Sequence, residues 1–427
     1  MSSIIELKPL TRVEGHGRVS VFMAGQQVEK VELALYESPR LFEALLLDKE
    51  YREIPEIVCR ICSLCSTVHR VTALLAVERA LEIPVSPQTR LYRELIVNGG
   101  HIQSHALHLF CLVLPDIFGV TGFAELARRE PDLLALGLRL KGAGNLIQEI
   151  VGGRLIHPVT LIPGGMGQPP NRQGLMRMKE ALQDVIPDAG EACRMFARWG
   201  AERTGTPTPD RRYLALESSP AAPLFGSRLR IGNGEPIPVE YYRKHIIEKV
   251  TAGSHAKRSQ AAGETVTTGA VARLNLGQPL LATGSAAFAE YSDMVLGTDI
   301  MANNLSQAIE LIDTIERSIG LIETLLEEGN PTEAPFPPSV SAGTGSAAME
   351  APRGVLIHSY AFGDNSRCTA ADIITPTAIN QAAIEADLLA LARSMEGADE
   401  TEMALQLEML VRAYDPCISC AVHLVRI

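Results

Sequence analysis

Arg60-Ile-Cys62-Ser-Leu-Cys65-Ser-Thr-Val-His69 and Asp415-Pro-Cys417-Ile-Ser-Cys420-Ala-Val-His423 are the two stretches on which the reading of this chain turns. A Cys-x-x-Cys pair puts two sulfurs close enough to share one soft metal, and two such pairs complete a four-thiolate site. Each ligand must be deprotonated, so metal binding is coupled to pH and to folding. The plainest occupant of four such cysteines is a tetrahedral zinc ion. Three features count against it. Cys65 and Cys417 are 352 positions apart, whereas structural zinc usually ties a compact local unit. The second pair lies at the end of the chain. Both pairs carry Asp, Arg or His flanks that a closed zinc knot does not require.

The remainder of the composition narrows the classes. Of 427 residues, 39 are basic and 50 acidic, for a net charge of −11, which argues against a general nucleic-acid binder or a basic membrane-surface protein. Aromatics are scarce, with a single Trp, so a base-stacking surface is not expected. The length suggests several folding units and is ample for a large core without disulfide staples. The first ten residues lack a basic segment followed by an apolar run of signal-peptide length. The most apolar long stretch, 105–123, is interrupted by Pro115 and Asp116 and falls short of a membrane span. A soluble chain is expected.

Residues 17–37 alternate apolar and polar side chains around a Gly25-Gln-Gln27 break, which predicts a β-hairpin. Helical periodicity dominates 61–205, notably at 72–81 and 91–114, with breaks in the Pro/Gly clusters of 152–172. Strands are expected at 212–217, 228–231 and 239–242, with Asn233-Gly234 as a turn. Helices return at 302–328 and 377–395, while the Pro/Gly/Ser/Ala-rich 329–354 reads as a loop. Four parts follow: an N-terminal α+β part (1–60), a helical core with the first cysteine pair (61–205), a β-containing part (206–300), and a helical core ending in the second pair (301–427). The metal position would be central, because residues 62 and 420 must meet.

The paired motifs RxCxxCxxxH and DPCxxCxxH resemble those of the large, catalytic subunit of nickel–iron hydrogenases, and the resemblance runs over nearly the whole chain. Arg12-Val-Glu14-Gly-His16, Ser38-Pro-Arg40-Leu-Phe-Glu43, Ser104-His105-Ala-Leu-His108 with Pro115-Asp116, Gly153-Arg-Leu-Ile-His157-Pro with Pro163-Gly-Gly165, and Glu350-Ala-Pro352-Arg353-Gly354 follow in the family's order. The Cys-Ser-Leu-Cys spelling and the short chain look most like the cytoplasmic multisubunit branch that uses NAD(P). The resemblance implies a mainly helical fold with smaller α+β parts, forming one continuous unit around a buried metal site. It also implies reversible heterolytic cleavage of H2.

By that resemblance Cys62 and Cys417 are terminal thiolates on nickel, while Cys65 and Cys420 bridge nickel to an iron that carries carbon monoxide and cyanide. Glu14 is the next proton carrier after a terminal thiolate. Arg353, following Pro352, lies over the open metal position with Asp116 and Asp415 as its partners; an always-charged guanidinium in a dry pocket must be paired. His69 donates a hydrogen bond to the bridging Cys65 sulfur. Glu43 and His423 ligate a separate magnesium (or iron). His16, His105 and His108 read as packing or relay residues.

Cys59, Cys111, Cys193 and Cys368 read as buried small hydrophobes, with Cys59 also placed to be a decoy ligand or an oxidation-sensitive thiol. No cysteine spacing suits an iron–sulfur cluster in this chain. Electrons are therefore expected to leave through an iron–sulfur small subunit towards flavin/NAD(P)-binding and further iron–sulfur subunits. A maturation protease and nickel-insertion factors complete the expected partners, the protease cutting after His423 and removing 424–427. Nucleic acid and a direct membrane span are not expected. Gly343-Thr-Gly345-Ser-Ala-Ala348 mimics a dinucleotide fingerprint but has no strand before it, and Pro352 would break the following helix. The acidic run at 323–328 reads as a solvated helix end. Two rivals stand beside the hydrogenase reading: a zinc-stabilised scaffold, and a metal-free homologue of the complex I type.

Overall fold

In a computed structural model, residues 2–36, 41–203, 205–250, 254–329 and 334–421 are described. The N-terminal hairpin forms as read, from strands Gly17–Ala24 and Gln27–Leu35, with Val21 opposite Val31. A third strand, Ser2–Leu7, pairs antiparallel with the first of these. Alternation sends Val19, Val21, Leu33 and Leu35 inward. There they share a core with Leu388, Leu407 and Leu410 of the helices Pro376–Ser394 and Glu400–Ala413. Side chains tie the same elements together: Glu396 accepts from the Val28 N–H at 2.8 Å and Glu385 from Leu33 at 3.1 Å. The two ends of the chain thus build one layer.

The helical part comprises Ser66–Ala80, Pro87–Leu107, Pro131–Gly152, Arg172–Asp184, Ile186–Ala201 and the long Ala302–Glu328. The Pro87–Leu107 helix runs on through a wide π turn, His108–Val113, into Leu114–Ile117. Pro115 brings no N–H to the ladder, so the wider turn falls where an α-helical bond would be missing.

The third layer is a seven-stranded sheet whose main path runs Val266–Thr267, Arg212–Ser219, Ala222–Ile231, Gly343–Ala351, Gly354–Phe362 and Cys368–Ile374, with Ile237–Pro238 on Ala222–Ile231. Two expectations fail here. Residues 239–242, read as a strand, form a 3₁₀ turn leading into the short helix Tyr242–His245; Val239 and Tyr242 are buried with an i, i+3 spacing, which is helical rather than alternating. The expected loop 329–354 contains the strand Gly343–Ala351, buried at the heart of the sheet. Its small residues are there because the Ser66–Ala80 helix crosses it closely. A Cβ at Gly345 would collide with the Ala76 carbonyl and the Ala80 backbone. The apparent dinucleotide fingerprint is therefore helix-on-strand packing.

Candidate metal centre

Each cysteine is placed by a different local device. Cys65 caps the N-terminus of Ser66–Ala80, and Cys62 lies in the turn just before it. Asp415 adopts a left-handed backbone (φ 50°), which turns the chain out of Glu400–Ala413 and into Cys417. The Ile418–Ala421 turn then straddles a seam between two cores: Cys417 and Cys420 face the helical core, Ile418 and Ala421 the terminal one. The Glu14 carbonyl accepts from Ile418 N–H at 3.0 Å, and Thr377 Oγ1 accepts from Cys417 N–H at 2.8 Å.

The four sulfurs converge. Sγ separations are 3.3 Å for Cys62–Cys417, 3.0 Å for Cys65–Cys420, 2.8 Å for Cys417–Cys420 and 3.9 Å for Cys65–Cys417. All four lie within 4.8 Å of one another and are buried. Hydrogen bonds from Cys417, Cys420 and Cys65 pull the Cys62 thiol well below its ordinary value, whereas burial pushes Cys65, Cys417 and Cys420 up. Without a cation the four thiols thus do not all ionise together. A soft cation would let all of them ionise, which is the donor chemistry of a thiolate metal site.

Glu14 stands half-buried beside this cradle. Its Oε2 is 3.2 Å from Cys417 Sγ and accepts from Ser419 N–H at 3.0 Å. Arg353 is carried at the tip of the hairpin formed by Gly343–Ala351 and Gly354–Phe362. Gly354 permits that tip: its φ is +125°, and a Cβ would strike the Thr268 side chain, whose hydroxyl accepts from Val355 N–H at 2.9 Å. Arg353 pairs with Asp415 at 2.9 Å and donates to Ser104 Oγ at 3.2 Å, while its Nε has no protein partner. Burial alone would pull its pKa down; Asp415, and then Cys417, Cys65 and Cys62, hold it well above the ordinary value. A fixed positive charge therefore overlooks the sulfurs.

The sequence matches the family described as nickel-dependent hydrogenase over residues 40–137 and 254–423, and the one described as HoxL-like over 4–37. It is 37% identical to the Sulfhydrogenase 2 subunit alpha of Pyrococcus furiosus, over 99% of this chain and 100% of that protein. The chain belongs to the nickel-dependent hydrogenase family. The NAD-reducing hydrogenase HoxS subunit beta of Cupriavidus necator is 26% identical over 99% of the chain and 95% of that protein. A solved NAD+-reducing [NiFe]-hydrogenase, in its H2-reduced state, superposes with a TM-score of 0.90 at 26% identity, covering 99% of both chains. The Ni-Fe-Se hydrogenase of D. vulgaris Hildenborough, at 20% identity, shares the fold with a TM-score of 0.79 over 99% and 100% of the two chains. This is a hydrogenase large subunit, with a cradle suited to nickel and iron. The zinc-scaffold and metal-free readings are not favoured.

The remaining site residues of this hydrogenase fall less uniformly. Asp116 does not serve Arg353. It lies just past the π turn, where Arg12 reaches it at 2.5 Å and Arg412 holds both its oxygens at 2.8 Å. Two guanidiniums already neutralise this carboxylate, and Ser104, one helix earlier, takes the place expected of it. His69 turns Nδ1 to His358 Nε2 at 3.0 Å, so any bond to Cys65 falls to its Nε2. Pro352 is buried, and its carbonyl accepts from Arg273 at 3.3 Å. Glu43 accepts from Ile373 N–H at 2.9 Å and lies 3.9 Å from the Lys257 ammonium. His423, its expected co-ligand, lies outside the described residues, as do 424–427 and Ser38–Arg40 of the motif preceding Glu43.

Sequence reasoning did not single out Ser104, His358, Thr377 or Gln307. Gln307 bridges Asp415 at 3.2 Å and His108 at 2.6 Å. His358 had a signal, since it alternates with Leu356 and Tyr360 along an apolar strand. A second buried group, His101, His105 and Glu310, has ligand-like spacing. However, Arg273 already grips Glu310 through two bonds of 2.6 and 2.7 Å, and its charge would repel a cation there. Of the remaining cysteines, burial pushes Cys193 up to about 12 and Cys368 to about 11, and also raises Cys59 and Cys111. Raising a thiol in this way lowers its thiolate fraction, which fits the packing role read for them.

Proposed function

We propose that this hydrogenase subunit cleaves H2 heterolytically and reversibly, H2 ⇌ 2H⁺ + 2e⁻, at a nickel–iron centre that Cys62, Cys65, Cys417 and Cys420 would hold, with carbon monoxide and cyanide completing the iron. The observation that carries the reading is the convergence of four buried sulfurs with the Glu14 carboxylate bonded to one of them and the Arg353 charge close by. The bound metals would supply a soft, electron-rich position at which H2 is polarised. Cys417 Sγ then passes a proton to Glu14 Oε2, 3.2 Å away, and Glu14, half-buried, hands it outward. Arg353 keeps a positive charge over the reacting position, and Asp415 with Ser104 fixes its plane.

The relatives are named subunits of larger enzymes, and two are named for reducing NAD. From that we infer that electrons leave through an iron–sulfur small subunit to a flavin/NAD(P) module, and that the assembly is cytoplasmic. No helix among the described residues is long and apolar enough to cross a membrane. We further read Glu43 and His423 as ligands of a magnesium or iron, and the chain as a precursor that nickel-insertion factors and a protease convert to a product ending at His423. The four sequence parts read as one continuous unit, because its central site draws on both ends. Metal analysis with infrared spectroscopy tests the central reading. Nickel and iron near one each, with bands of bound carbon monoxide and cyanide, are expected; zinc alone would overturn it. Intact mass of the active enzyme still showing 424–427 would refute the maturation step.

A further inference from the structure

Beside the cradle runs a buried chain of three rings. His69 lies on the helix that starts at Cys65; its Nδ1 is 3.0 Å from His358 Nε2, and His358 Nδ1 is 2.5 Å from the Tyr360 hydroxyl. His69, His358 and Tyr360 are each about 1% exposed or less. Leu356, His358 and Tyr360 alternate on the Gly354–Phe362 strand, so the last two face the same helix.

Hydrogen-bond accounting sets the direction of this chain. Among the described residues the Tyr360 hydroxyl has one partner, His358 Nδ1, and a buried O–H without an acceptor is costly. Tyr360 therefore donates and His358 Nδ1 accepts. Burial keeps the phenol protonated, raising Tyr360 well above its ordinary value, and keeps His358 neutral, lowering it well below. A neutral imidazole that accepts at Nδ1 carries its proton on Nε2. That proton points at His69 Nδ1, which must accept in turn.

We propose that Tyr360 is a positioning residue for the cysteine cradle: its hydroxyl, acting through His358, holds His69 in the Nε2–H form, the form able to donate to a thiolate. The inference rests on the reading that His69 serves the bridging sulfur, and adds what decides the tautomer. Without the hydroxyl, His358 is free to protonate Nδ1 instead, and His69 can then carry its proton on the edge turned away from the metals.

The test compares wild type, Tyr360→Phe, His358→Gln and the double variant. Gln carries an amide N–H at about the reach of imidazole Nε2, so it donates to His69 whether or not Tyr360 is present. Histidine-¹⁵N spectra of the metal-free full chain should show His69 protonated on Nε2 in wild type and a mixture of tautomers in Tyr360→Phe. In the loaded enzyme Tyr360→Phe should keep its nickel, move the carbon monoxide band to lower wavenumber, and lose turnover on the order of tenfold. In the His358→Gln background the same substitution should cancel out. An unchanged His69 pattern in Tyr360→Phe, or an equal loss in both backgrounds, would overturn the proposal and leave Tyr360 a packing residue. Absence of diatomic bands in wild type would instead count against the nickel–iron reading, while the histidine spectra still decide this one.

Discussion

Arg273 and Arg353 are both buried in this molecule, and they are buried differently. Every nitrogen of Arg273 is used: Nε and Nη2 on Glu310, Nη1 on Glu350 and the Ala351 carbonyl. Arg353 has one carboxylate, one hydroxyl and an Nε without a protein partner, and it overlooks four sulfurs. A saturated guanidinium has nothing further to offer and acts as a structural tie. An unsaturated one holds charge in reserve for something that arrives. The difference separates the frame of this hydrogenase from its working centre, although both arginines sit deep in the same interior.

The contrast can be broken most severely at the sulfurs. Cys420→Ala should abolish both bound nickel and hydrogen turnover, since the cradle would lose one of its four sulfur donors; metal analysis and an H2-oxidation assay check it. Glu14→Gln should leave the nickel in place and suppress turnover on the order of 10²- to 10⁴-fold, the range for a removed proton carrier. Normal turnover would take Glu14 off the proton path. Arg353→Lys and Arg273→Met then test the comparison directly. The first should lower turnover about 10- to 100-fold with little loss of stability, because lysine keeps the charge but not the fork. The second leaves Glu310 and Glu350 buried without their counter-charge, with only His105 and the Leu216 N–H among the described residues still bonded to them, and should cost about 3–5 kcal/mol in denaturant unfolding. Equal stability losses for both would erase the distinction.

The smallest effect is expected at Glu94, whose carboxyl is pushed up to about 7 by burial, with Arg317 only partly offsetting it. A raised folded-state pKa means that the neutral form is favoured on folding. That contribution is fully present below the unfolded value near 4.5 and is lost as pH rises through about 7. Stability should therefore decline by roughly 2–3 kcal/mol between pH 4.5 and pH 8 on this account. Glu94→Gln should flatten that part of the profile, as melting curves at the two pH values will show.

Much of the centre was legible in the chain because its chemistry is carried by residue type and spacing. Four cysteines in two pairs, with Glu14, Arg353 and Asp415 near by in motif order, name a soft-metal site whatever the fold. The N-terminal hairpin and the long helices were equally legible, since period-2 and period-3.6 patterns express burial on one face. The strand Gly343–Ala351 was not. Its glycines and alanines signal a loop locally, and only the helix crossing above them makes small residues a packing requirement. Val239 and Tyr242 misled for the same kind of reason, as a short apolar run does not distinguish strand from turn.

Partner choice among charged residues lay furthest out of reach. Asp116 and Ser104 are both polar, both near the motif, and separated by twelve positions; nothing in their spelling tells which one meets Arg353. The π turn decides it, carrying Asp116 to Arg12 and Arg412 and leaving Ser104 on the helix face towards the metals. The direction of the His69–His358–Tyr360 chain was hidden likewise. By itself, then, the sequence determined which atoms could bind metal and carry protons, because donor chemistry is a property of side chains. Only the tertiary structure decided which charges pair and which histidine edge is protonated, because those follow from distance and burial between segments far apart along the chain, 296 residues for Asp116 and Arg412 and 289 for His69 and His358.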